Sequence, residues 1–110
     1  MVILKHRLRL TQHDGERFVE IVVHRPEPDD RCWRCDYSIA WPEGVWRSRG
    51  VGHDALQALV LTLQKIGAEI YTSPYHAAGQ LSVDGAEGGY GFPVPHSLRD
   101  LLVGADAKAF

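Results

Sequence analysis

The stretch from Gly52 to Ser73, GHDALQALVLTLQKIGAEIYTS, constrains this chain more than any other. It is the only long segment whose apolar residues recur at helical spacing. Asp54 is placed to cap it, its carboxylate accepting from free N–H groups of the first turn, and Gln57 three residues on completes a capping box. Leu56, Leu59, Val60, Leu63, Ile66, Gly67 and Ile70 fall on one face, an arc of roughly 120° that suits packing on a sheet. Gly67 inside that stripe weakens the helix by about 1 kcal/mol relative to Ala, which predicts close approach to a strand. Leu61 projects with Ala58 and Ala68 among polar neighbours, a candidate contact patch.

Such a helix needs a surface to cover, and the first half of the chain supplies one. VILKHRLRL sets Val2, Leu4, Leu8 and Leu10 on one side and Lys5, Arg7 and Arg9 on the other, the period-2 pattern of a half-buried strand. His13, Asp14 and Gly15 turn the chain into RFVEIVVHR, with Val19, Ile21 and Val23 inward. PEPDD, Pro26 to Asp30, reads as a solvated break. In CWRCDYSIAW, Trp33, Cys35, Tyr37, Ile39 and Trp41 share a face, and VWRSRGV follows as a fourth strand of less clear facing. After the helix, Leu81 and Val83, then Tyr90, Phe92 and Val94, suggest a short β-hairpin, with Pro93 and Pro95 confining its second strand to an edge. Ser97 caps a last short helix, SLRDLLVG, and ADAKAF is expected to fray. The expectation is an α+β fold in a single domain over residues 1–110. An antiparallel sheet of about four strands packs on one long helix, followed by a short β-hairpin and a short C-terminal helix.

A chain of 110 residues buries roughly two-thirds of its unfolded surface, enough for a core without metal or disulfide staples. No apolar run approaches the ~20 residues that span a bilayer, so no membrane partner is expected. The opening MVILKHRLRL is broken by charges from Lys5 onward, so no secretory signal is read there and a cytoplasmic location is expected. The net charge of −2 gives no global field for nucleic acid.

Four constellations invite chemistry. Cys32 and Cys35 have CxxC spacing, but on a strand residues three apart point to opposite faces, and a structural zinc needs about four ligands. Two reduced structural cysteines, with no metal and no cofactor, are the better reading. Ser73, Tyr75 and His76 follow the helix C-terminus, and with Tyr90 they form a candidate ligand-binding pocket. No acidic orienter or oxyanion motif accompanies them, so no catalytic residue is assigned. GAEGGYG lacks the Lys-Ser/Thr ending of a phosphate loop. Lys5, Arg7, Arg9, Arg34, Arg47 and Arg49 could share an outer sheet face that touches nucleic acid, but Glu20, Asp36 and the overall charge weigh for a solvated face. Among three tryptophans, Trp46 is the candidate interface residue, since an outward Trp on a sheet is a typical hot spot.

The segments GAEIYTSPYHAAGQL and GGYGFPVPHSLRDLL resemble a small bacterial family of uncharacterised domains, over mainly residues 52–103. The resemblance implies a bacterial cytoplasmic setting and carries no activity, cofactor or catalytic residue. The function these features favour is a small non-enzymatic interaction module, immunity- or antitoxin-like or self-associating, with a protein partner or a homo-oligomer. The alternatives are a small-molecule-binding protein or enzyme with its pocket near residues 71–76 and Tyr90, and nucleic-acid binding through the basic sheet face.

Overall fold

Alternation along the first half of the chain is realised as one antiparallel sheet. In the computed structural model, which describes residues 1–110, strands β1 (Val2–Gln12) and β2 (Gly15–His24) form a hairpin about the His13-Asp14 turn. Strands β3 (Glu27–Asp29), β4 (Cys32–Trp41) and β5 (Gly44–Gly52) follow, and a two-residue strand β6 (Leu81–Ser82) pairs with β1 at Arg9 and Leu10. β5 pairs along almost all of β4, while β2 and β3 pair with different stretches of it. β3 therefore prolongs β2 on one edge of β4 and β5 holds the other. The spatial order is β5, β4, β2 with β3, β1, β6, wider than the four strands expected from sequence. The Pro26–Asp30 stretch also departs from expectation. It carries β3, whose Glu27 lies opposite Arg34 and ion-pairs with it at 3.4 Å.

Leu8, Leu10, Val19, Ile21, Val23, Cys35, Tyr37 and Ile39 all point to one side and are sealed from solvent. Burying each large apolar side chain contributes about 1.5–3 kcal/mol, so a register slip would expose the whole set. Helix α1 (Ala55–Tyr71) crosses this face over β4 and β5. Asp54 caps it, accepting the Gln57 N–H at 2.7 Å, while Gln57 Oε1 accepts the His53 N–H at 2.8 Å.

The buried face of α1 is rotated from the apolar stripe. Leu56 and Val60 are exposed, whereas Ala58 and Thr62 are fully buried with Ile66 and Ile70. The cause lies in β5. A Cβ on Gly50 would strike Thr62 and the Ala58 carbonyl, and one on Gly52 would lie 2.6 Å from the Ala58 nitrogen. The helix rides into this glycine notch, so small residues face the sheet there, and Thr62 Oγ1 donates to the Cys35 carbonyl at 2.9 Å. Gly67 does serve a close approach, but to the C-terminal segment and not to a strand, since its Cβ would collide with the Pro93 carbonyl.

Beyond α1 come the single turn α2 (Pro74–Ala77), β6, a 3₁₀ turn at His96–Leu101 and helix α3 (Gly104–Ala109). The expected hairpin is absent. Tyr90, Phe92 and Val94 are buried, yet residues 90–94 pair with no strand. Pro93 and Pro95 lack N–H donors, and the segment instead straps the core, with the Tyr90 carbonyl 2.9 Å from His6 Nε2 and Phe92 edge-on to the His6 ring. The short helix expected from Ser97 is the 3₁₀ turn, and the tail expected to fray is α3. No helix is long and apolar enough to cross a membrane.

Candidate functional site

Where β4 ends and β5 begins, the sheet projects past the C-terminus of α1. Trp46 lies opposite Ile39, which places it on the helix-bearing side of the sheet with Trp41 at the neighbouring strand end. Ser73 Oγ accepts the His76 N–H at 3.1 Å and donates to the Ile70 carbonyl at 2.7 Å, and this cap starts α2. The turn carries Tyr75 onto Trp41, the rings stacked with centroids 5.3 Å apart and planes 19° from parallel. Tyr75 donates its hydroxyl to Glu43 Oε1 at 2.7 Å. That bond to a carboxylate raises the phenol above its ordinary pKa, and desolvation adds to it.

The result is an open cleft of about 280 Å³ between Trp41, Trp46 and Tyr75, with Glu43, Glu69 and Ser73 on its rim. Trp46 is 46% exposed, and its indole N–H reaches the Tyr37 hydroxyl at 3.4 Å. Neither Glu43 nor Glu69 forms an ion pair, since every ion pair in the molecule involves other carboxylates, although Arg17 lies close enough to act on the Tyr75 hydroxyl that Glu43 accepts. Aromatic faces beside carboxylates free of ion pairs suit a cation, a flat guanidinium above all.

The four residues proposed as one pocket are split by the fold. Ser73 and Tyr75 border this cleft, whereas Tyr90 is buried and the half-buried His76 turns toward it. There the Tyr90 hydroxyl is hydrogen-bonded to His76 Nδ1, and Tyr71 packs against both rings at 5.0 and 5.1 Å. Asp106 of α3, 1% exposed, closes the group. It accepts the Tyr71 hydroxyl at 2.5 Å and the Tyr90 and Gly91 N–H groups at 2.7 Å each. Burial is the first cause of the raised tyrosine pKa values, with Asp106 adding to it. Tyr90 is pushed up to about 12, and Tyr71 also rises. None of these four residues lines the Trp41–Trp46–Tyr75 cleft, and they contact one another instead.

The remaining sequence candidates fall in separate places. Ala58 is not a contact residue, because the β5 notch buries it completely. Ala68 is half-buried and Leu61 is 37% exposed. Cys32 donates its thiol to the Asp29 carbonyl and Cys35 to the His24 carbonyl. Burial raises the Cys35 thiol, and the two sulfurs stay unbonded. No three His, Cys, Asp or Glu side chains are placed together to hold a metal. Lys5, Arg7, Arg9, Arg34, Arg47 and Arg49 do alternate onto the outer sheet face by register. Arg9 is paired with Asp84 and Glu16, Arg34 with Glu27, Asp29 and Asp36, and Arg7 lies 4.2 Å over the Phe18 ring.

Sequence reasoning missed Glu43 and Asp106, and it included Tyr71 only as the first residue of the 71–76 loop. Glu43 sits in a turn that reads as ordinary, and Asp106 lies in a tail with no periodic signal. Tyr71 carried a faint one, as an aromatic at the end of the amphipathic stretch.

Residues 4–94 match the family described as a domain of unknown function (DUF6968), and with most of its length inside that match the chain belongs to this family. Neither the curated proteins nor the solved structures contain a match to it.

Proposed function

We propose that this protein is a non-enzymatic interaction module whose Trp41–Trp46–Tyr75 cleft takes a cationic side chain of a protein partner. The observation that supports this reading is Trp46, half-exposed beside a stacked aromatic pair and two carboxylates that form no ion pair within the chain. An aromatic ring held by its neighbours loses little freedom on binding, which is why exposed tryptophans so often anchor interfaces. The polar groups best suited to catalysis, His76, Tyr90, Tyr71 and Asp106, are instead engaged with one another. A small cytoplasmic partner of the immunity or antitoxin kind is the setting such a module suits.

Tryptophan fluorescence during titration with a glycine-flanked arginine peptide, against its glutamate counterpart, tests this. The arginine peptide should quench the signal. Glu43→Gln and Trp46→Ala should each weaken binding between about twofold and thirtyfold, the span expected of cation–aromatic contacts. Equal responses to the two peptides, or an unchanged affinity in Glu43→Gln, would sink the proposal.

A further inference from the structure

Building on the interaction-module reading, we propose that the free edge of β5 accepts an extended acidic segment of a partner protein as an added strand. β5 pairs only with β4, so one full edge of this nine-residue strand is open. Lys65 Nζ donates to the Arg49 carbonyl at 2.6 Å, which marks that carbonyl as pointing away from β4. Strand alternation then turns the N–H and C=O groups of Val45, Arg47, Arg49 and Val51 outward, and those of Trp46, Ser48 and Gly50 toward β4. A lysine over an edge is a familiar guard against unwanted pairing. Here the guard is a single exposed side chain that a partner can displace.

The side chains of the same four residues state what the partner must carry. Val45 and Val51 are 48% and 49% exposed. Arg47 and Arg49 make no ion pair. Asp36, opposite Arg49 on β4, lies 3.5 Å from Arg34 and is engaged there. A strand laid on this edge sets its alternate residues directly opposite these four, so the complementary pattern is apolar, acidic, acidic, apolar at every second position. A second copy of β5 fits poorly, because antiparallel self-pairing about Ser48 puts Arg47 of one copy opposite Arg49 of the other. On the helix side, Gly50, Val51 and Leu61 border a shallow groove of about 350 Å³ that admits the intervening side chains. The other end of the edge runs into the Trp46 cleft, so one segment could occupy both.

The test uses the intact protein and a synthetic seven-residue peptide with valine at both ends, glutamate at the third and fifth positions and threonine between. Residue-resolved amide exchange is the readout. Saturation should protect the Val45, Arg47, Arg49 and Val51 amides and leave Trp46, Ser48 and Gly50 unchanged. A lysine-for-glutamate peptide should bind at least about tenfold more weakly, from two cross-strand charge pairs made repulsive. Arg49→Pro should abolish binding without unfolding the protein, since it removes an outward N–H that β4 does not use. Absence of binding, binding without that protection, equal affinity for the lysine peptide, retained affinity in Arg49→Pro, or the same amides protected in a peptide-free dimer would each overturn the proposal. Arginine-peptide binding that still depends on Trp46 alongside any of these results would leave the cleft reading intact.

Discussion

Replacing Asp106 by alanine should remove more stability than any surface substitution in this protein. The carboxylate is sealed from solvent and accepts three hydrogen bonds, from the Tyr71 hydroxyl at 2.5 Å and the Tyr90 and Gly91 N–H groups at 2.7 Å. Its loss leaves two buried donors, the Tyr71 hydroxyl and the Tyr90 N–H, without that acceptor, and each such orphan costs about 1–3 kcal/mol, while the exposed Gly91 N–H turns to water. Some of that is recovered as water enters or α3 frays, so a net loss of about 2–5 kcal/mol is expected. With a urea m-value of about 1.5 kcal/mol/M, the lower figure moves the unfolding midpoint by about 1.3 M. Urea unfolding followed by tryptophan fluorescence reads this directly. Tyr71→Phe removes one donor together with its bond and should cost only about 1–1.5 kcal/mol. Lys108→Ala, which breaks an exposed pair between α3 and Glu87 of the preceding loop, should cost under about 1 kcal/mol. If Asp106→Ala loses less than Tyr71→Phe, the strap over β1 and β2 is not held by α3 and the reasoning fails.

Three further outcomes follow from the same packing. Gly50→Ala drives a methyl into Thr62 and the Ala58 carbonyl, and should destabilise by about 1–3 kcal/mol in the same urea assay, whereas Gly15→Ala meets no neighbour and reports only backbone conformation. Tyr90 is raised in the folded state to about 12 from 10.0, and Tyr71 is raised as well. The folded state therefore favours the neutral phenols. Their contribution is complete below pH ~10 and is lost as pH climbs toward and through ~12, with a slope of up to about 1.4 kcal/mol per pH unit for each tyrosine. Unfolding free energies between pH 8 and 12 check this (roughly flat below ~10, falling above). Leu61→Glu, at a position 37% exposed, should leave stability within about 0.5 kcal/mol, and concentration-dependent sedimentation of the wild type that vanishes in this variant would assign Leu61 to a self-contact.

Much of the sheet was legible because alternation is a direct consequence of strand geometry. Leu8 and Leu10, Val19 to Val23, and Cys35 to Ile39 are buried as their spacing requires. The helix was legible as a helix but not in its rotation. Hydrophobicity ranks Leu56 and Val60 above Ala58 and Thr62, while the fit between α1 and β5 is decided by the room left at Gly50 and Gly52. The glycines at alternate positions of VWRSRGVG were the available sign of that close approach. At residues 90–94 the alternation correctly marked buried side chains and wrongly implied pairing, because proline removes the donors a ladder needs. The candidate site was legible only in pieces. Ser73, Tyr75 and Trp46 were individually notable, but their meeting with Trp41 and Glu43 depends on α2 folding back over the end of the sheet. No local pattern encodes that contact.

Chemical-shift mapping of isotope-labelled protein titrated with the arginine peptide tests the central claim most directly. The largest perturbations should fall on the Trp41 and Trp46 indole N–H groups, Glu43 and Tyr75, and should saturate together. Perturbations that spare both indoles, or that spread over the outer face at Arg7, Arg47 and Arg49, would contradict it.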